Sequence, residues 1–279
     1  MVDDGMHITR NCPGEKLSKQ PLVLVLIQIR FSPVMNLESY IPQIQTALRM
    51  AGYPLIEEND NLAVTVTPDG VRPVHTKQWR FKTSDEYSNV ILDGGQLSFQ
   101  TSEYVCFEQF YERFESVCTN VFENIAGFVQ ANVIQRLGLR YVDRIIPSDT
   151  DDTIDSYIAD GFKISQAPVF GSQPKICTVS QAGEAEIEGN KKGVLVVRIT
   201  QGEKGLFLPP DLMSKPPKMK TGVPEGRLIG MIDTDHSYLP PLLLKYDAAE
   251  QKKLFYRMHD NVEKIFHSVV SEEGRTKWQ

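Results

Sequence analysis

Between residues 61 and 101 the apolar residues recur with period two, in short runs at 62–67, 78–83, 89–92 and 96–101. No stretch of helical periodicity separates one run from the next. Parallel strands need crossover connections of a dozen or more residues, whereas antiparallel strands close through short turns. The segment is therefore expected to form an antiparallel meander, and it leaves no room for a doubly wound parallel sheet. Asp93-Gly94-Gly95, between the last two runs, has the composition of a hairpin turn, because left-handed backbone costs glycine little.

The rest of the chain fits around that meander. Residues 22–31 form a continuous Leu, Val and Ile run of strand length, closed by Ser32-Pro33, and read as a strand buried on both faces. Residues 39–50 read as a short helix with Ile41, Ile44 and Leu48 inward and Gly52 as its stop. From 103 to 133, Phe107, Phe110, Phe114, Val117, Val121, Ile125 and Phe128 recur at three- and four-residue steps, the stripe of an amphipathic helix. Strands are expected at 139–146, 175–180, 194–200 and 227–233. A second long helix is expected at 247–270, opened by Asp247 and Glu250 in a capping-box-like arrangement and carrying Leu254, Phe255, Met258, Val262 and Phe266 inward.

The expected fold class is α+β: a largely antiparallel sheet with two long amphipathic helices packed on one face. Each half, 21–147 and 148–279, reads as strands followed by a long helix, which suggests an internal duplication of a β-meander–helix unit. Residues 1–20 are polar and irregular and are expected to be a flexible tail. The remainder, 21–279, then forms a single α+β unit.

Composition narrows the function classes. The 279 residues are 41% hydrophobic and 24% charged, which suits a folded chain with a sizeable core. A net charge of −6 argues against general binding to nucleic acid or to an anionic membrane. No apolar run approaches the roughly 20 residues that span a bilayer. The N-terminus has Asp3 and Asp4 where a secretory signal would be basic, so a cytoplasmic location is expected. Cys12, Cys106, Cys118 and Cys177 form no C-x-x-C pair, have no histidine at zinc-finger spacing, and are expected to be reduced.

Several segments carry a wider pattern: Pro21-Leu22 to Ile29-Arg30-Phe31-Ser32-Pro33, Gly138-Leu139-Arg140-Tyr141-Val142-Asp143-Arg144-Ile145, Ile232-Asp233-Thr234-Asp235, and Leu254, Met258-His259, Phe266 and Trp278. In their order and spacing these segments resemble a sporadically distributed family of bacterial and archaeal proteins to which no activity or catalytic residue is assigned. The resemblance covers residues 20–279. It implies a whole-chain folded unit, and the family's sporadic distribution implies an accessory role, such as defence. It carries over no active-site residue.

Read residue by residue, the chemistry clusters on three strands and a helix. Arg30, Arg140 and Arg144 lie in or beside apolar strands, where a guanidinium needs a carboxylate or a bound anion. One reading is an internal ion pair with Asp143, Asp233 or Asp235, and the other is an anion or phosphate site. Alternation places Leu139, Tyr141 and Asp143 on one strand face and Arg140, Val142 and Arg144 on the other. Asp233 and Asp235 share a face, a geometry that also suits a divalent cation.

His259, Glu263 and His267 have the i, i+4, i+8 spacing of metal ligands on a helix. His259, however, falls within the apolar arc and His267 well outside it, which favours a buried structural His259. No phosphate-binding glycine loop, dinucleotide fingerprint or nucleophile elbow is present, and no cofactor or resident metal is expected.

Residues 205–226 contain Pro209, Pro210, Pro216, Pro217 and Pro224 and read as a protruding loop. Phe207, Leu208 and Met213 offer apolar anchors there, and Lys215, Lys218 and Lys220 make it basic within an acidic chain. It is the candidate docking segment for a partner protein. The reading that results is a non-catalytic binding or adaptor protein acting with another protein. The competing reading is a metal-dependent enzyme acting on phosphodiesters or nucleotides through Asp233 and Asp235.

Overall fold

The computed structural model describes residues 19–67, 70–148, 152–164, 176–203, 208–214, 216–220, 222, 228–242 and 244–279. The expected tail lies outside the described residues up to residue 18, as do Phe207 and Lys215. The first half contains β1 (Leu22–Phe31), α1 (Ile41–Met50), β2 (Leu55–Thr67), β3 (Gly70–Lys82), β4 (Ser88–Asp93), β5 (Gln96–Thr101), α2 (Phe107–Phe122) and α3 (Phe128–Ala131). Then follow β6 (Val133–Ile145), β7 (Ile176–Glu188), β8 (Lys191–Glu203), β9 (Leu228–Tyr238), β10 (Leu244–Lys245), α4 (Ala248–Val269) and α5 (Glu272–Trp278).

All strands join one ten-stranded sheet in the order β2-β3-β4-β5-β1-β6-β9-β8-β7, with β10 also pairing β6. Every pairing is antiparallel. The fold is thus α+β with a large antiparallel sheet. At its centre β1 pairs with β6, Leu26 opposite Arg140, so strands far apart in the sequence meet there.

Strand alternation divides the sheet into two unlike faces. One face carries Val25, Ile27, Ile29 and Phe31 of β1 with Leu137, Leu139 and Tyr141 of β6. All are buried against α1, α2 and α4 in one apolar cluster. Phe255 of α4 meets Phe114 of α2 edge-on, with ring centroids 5.7 Å apart. Such aromatic contacts add about 0.5–1.5 kcal/mol each beyond the area they bury. A second cluster joins Ile145, Tyr157, Ile199, Ile232 and Trp278 beneath α5.

The helices differ from expectation in extent. The first, expected to run to residue 133, ends at Phe122 after 16 residues. Gly127 takes φ +74° in the left-handed region and breaks the stripe, and Val133 already belongs to β6. The last helix runs 22 residues, and Asp247 caps it by accepting from the Ala249 and Glu250 N–H groups. Phe255, Met258 and Val262 are buried as expected, but Phe266 is only partly buried and stacks on Trp278.

Candidate functional site

The face of the sheet away from the helices gathers five of the residues singled out in the sequence: Arg30, Arg140, Arg144, Asp233 and Asp235. The Arg140 guanidinium donates to both Asp233 oxygens, Nε to Oδ1 at 2.6 Å and Nη2 to Oδ2 at 2.9 Å. It also donates to Asp211, at 2.5 Å from Nη1. Burial opposes its charge, but the hydrogen bonds and charges of Asp233 and Asp211 outweigh that, and its pKa is raised. Asp233 accepts as well from Arg198 at 3.1 Å. Asp235 stands 3.8 Å from Arg136, which donates to Gln28 at 2.7 Å. Arg144 is buried on the same face, and Arg30 is exposed at its edge.

This face is not open to solvent along its length, because the segment expected to protrude lies across it. Leu208 is 1% exposed and packs with Leu24, Val142 and Met231. Asp211, from the same segment, supplies the second partner of Arg140. Further on, the Ser214 carbonyl accepts from Arg80 at 3.4 Å, and the Lys218 N–H donates to the Glu86 carbonyl at 2.8 Å. The Lys218 carbonyl accepts from Ser102 at 2.6 Å. Lys220 pairs with Glu103 at 3.0 Å, and both lysines lie over the Tyr87 ring. The segment is a strap, and of its expected apolar anchors Leu208 is used internally while Met213 is 50% exposed. The reading of a protruding loop is corrected on this point: Pro209, Pro210, Pro216 and Pro217 keep it off the ladders, yet the deeply buried Leu208 and the Asp211 carboxylate bind it to the sheet.

His259 is the one singled-out residue on the helix side. It stacks on Phe107 with centroids 4.1 Å apart, and its Nδ1 lies 3.1 Å from the Tyr141 hydroxyl. Tyr141 in turn lies 3.4 Å from the Tyr104 hydroxyl, and Glu263 stands 3.5 Å from His259 Nε2. Burial lowers the His259 pKa to about 4, so the ring is neutral at neutral pH. His267, on the exposed side of α4, does not join it. Among the described residues no group of three or more His, Cys, Asp or Glu side chains has the arrangement of a metal site.

These aromatic residues wall a cavity of about 500 Å³ between the sheet, the start of α2 and the second half of α4. Its size is that of a small-molecule site. At its floor is Asp143, which the sequence offered only as a partner for the strand arginines. Its carboxyl is buried, 5% exposed, and it has no hydrogen bond or ion pair among the described residues. Burial alone pushes its pKa up to about 8. The signal that could have found it was present in the alternation: a carboxylate two residues after Tyr141 occupies an inward position, where an acid without a partner is costly. Cys106, on the same wall, is disulfide-bonded, against the expectation of four reduced thiols; Cys118 and Cys177 are free.

No helix among the described residues is long and apolar enough to cross a membrane. Compared with known proteins, the chain matches no family model and shows no significant similarity to a curated sequence.

Proposed function

We propose that this chain is a binding protein that takes a small ligand in the cavity between α2 and α4 and acts together with a partner protein. The observation that carries this reading is Asp143, a buried carboxyl without a partner among the described residues, facing a cavity of about 500 Å³ walled by aromatic rings. A buried acid left unpaired lowers stability, and a site that binds a ligand is where such a group has a use. The neutral His259 and the tyrosine pair beside it position hydrogen bonds without an activated nucleophile. The exposed Met213 with Lys218 and Lys220 on the strap is the proposed contact for the partner, and those cations suit an acidic surface.

The alternative, metal-dependent chemistry at Asp233 and Asp235, has less support. Both Asp233 oxygens already accept from Arg140, and Asp235 faces Arg136. A cation placed there would compete with three guanidinium groups, those of Arg136, Arg140 and Arg198. The repeated order of a lead strand, a meander and a helix, β1 to α2 and then β6 to α4, supports the duplicated unit.

The test is a ligand-observed NMR fragment screen followed by protein-observed mapping. Bound fragments should shift the Tyr104, Tyr141 and His259 ring signals. Titration with Mg²⁺ or Mn²⁺ should leave the β9 amides unmoved. Metal-dependent phosphodiester hydrolysis that disappears in Asp233→Asn would overturn the reading in favour of the enzyme.

A further inference from the structure

The cavity between α2 and α4 has a charge character as well as a size. Its wall holds the acids Glu108, Asp143, Asp260 and Glu263 against a single arginine, Arg275. Tyr104, Phe107, Tyr256 and Phe266 supply aromatic surface on the same wall. Carboxylates combined with aromatic rings are the chemistry that recognises an organic cation, through charge-assisted hydrogen bonds and attraction to the ring quadrupoles. We infer that this cavity is a site for an organic ammonium group, which pairs with the Asp143 carboxylate among those rings. This inference rests on the cavity's being the ligand site, as proposed above.

One feature of the wall points the other way. The start of α2 is uncapped by any side chain and lies on the cavity, and a helix N-terminus favours an anion. Glu108 in its first turn already brings a negative charge to that end. The basic groups do not satisfy Asp143 either: His259 is neutral, His267 is exposed, and Arg275 makes no ion pair with it. An anionic ligand would face four carboxylic side chains for one guanidinium.

The pairing has a proton balance. Without a cation, Asp143 holds its proton at pH 7, because burial raises its pKa to about 8. An arriving ammonium keeps its own proton and favours the ionised carboxylate, so the Asp143 proton is released to solvent. Affinity should therefore rise with pH, by about tenfold from pH 6 to 7, and level off above about 8. Burial also raises the pKa of Glu263 on the same wall.

The experiment uses the full chain and three probes. n-Butylammonium, its uncharged match 1-butanol, and butyrate are titrated calorimetrically into the wild type and into Asp143→Asn, at pH 6, 7 and 8 and in buffers of different ionisation heat. The expected result is a preference of at least about tenfold for butylammonium over butanol, the size of a charge-assisted hydrogen bond. That preference should be lost in Asp143→Asn, and the wild type should release a proton on binding at pH 7. Butylammonium and butanol binding alike, a preference surviving in Asp143→Asn, or tighter binding of butyrate would each overturn the inference while leaving a ligand cavity standing. If none of these probes and no fragment shifts the cavity's ring signals, the ligand-site reading falls with it. Once ammonium binding is established, tighter binding of 1,5-diaminopentane assigns a free amine. Tighter binding of a Gly-Lys-Gly peptide assigns a lysine side chain of a partner.

Discussion

Arg140 and Asp143, three residues apart on β6, stand on opposite faces of the sheet and do not meet. The arginine finds its carboxylates on β9 and on the strap, and the aspartate is left at the floor of a cavity among aromatic rings. Strand geometry separates them as firmly as distance would, since an odd offset in position always crosses the sheet. On one side of the sheet Arg140 and Asp233 are paired and covered, and on the other Asp143 is buried with no hydrogen bond or ion pair among the described residues.

The Arg140–Asp233 pair should behave as a buried ion pair. Arg140→Ala leaves Asp233 with only Arg198 and should cost about 3–5 kcal/mol in urea unfolding, because a buried charge loses its main partner. Asp211→Ala should cost less than about 1 kcal/mol, since that carboxylate is 63% exposed. Equal effects from the two would mean that Asp233 is not the main partner.

The stability of the protein should depend on Asp143 in a direction opposite to that of an ordinary salt-bridged aspartate. Its folded-state pKa, about 8, lies above the unfolded value of roughly 4. The folded state therefore binds more protons between those limits. Its contribution is complete below about pH 4, declines as pH rises, and is gone above about 8, at up to about 1.4 kcal/mol per pH unit. Asp143→Asn should flatten stability against pH across this window and raise stability at pH 8. A pH profile unchanged by the substitution would show the carboxyl to be solvated.

His259 gives the complementary signal. Its pKa is lowered to about 4 by burial, below an unfolded value of about 6.5, so its stabilising contribution is present above about 6.5 and is lost as pH falls toward 4. Its ring resonances in a proton-detected NMR titration should have a midpoint near 4. A midpoint near 6.5 would mean that the ring does not sit between Phe107 and Tyr141.

Leu208→Ala tests the strap. The side chain is 1% exposed, so the substitution should cost about 2–5 kcal/mol. Phe255→Ala in α4 should cost about 3–5 kcal/mol, and Phe266→Ala distinctly less, because Phe266 is only partly buried. A strap truncated at Leu208 without loss of stability, measured by thermal melts, would restore the view of it as a free loop.

Much of the fold was legible because the physics there is local. Period-two runs marked β4 and β5 almost to the residue, and the inward stripe of α4 named Phe255, Met258 and Val262. The long arms of β2 and β7 were less visible. Residues 56–61 read Ile-Glu-Glu-Asn-Asp-Asn, and most of β7 is exposed, so neither arm shows alternation. α5 was missed because it is short, and its position depends on distant contacts. Gly274 lies so close to Tyr157 that a Cβ would stand 2.8 Å from backbone atoms, and Lys277 pairs with Asp152. The arginines and Asp233 were legible as a group from alternation. That Asp211 would come to Arg140 from a proline-rich segment was not, because nothing local records which strand a crossing segment will reach.

The central pairing of β1 with β6 has a kinetic consequence. The hairpins β2–β3, β4–β5 and β7–β8 join strands that are neighbours in the chain, and each can zip as soon as its turn forms. The Leu26–Arg140 ladder joins strands far apart in the sequence and must wait for a large loop to close. Of the described strands β1 is made before the others, yet both its neighbours, β5 and β6, lie far downstream. It therefore waits for strands made much later, and its Leu-Val-Leu-Val-Leu-Ile run stays unpaired on the nascent chain until β5 has emerged.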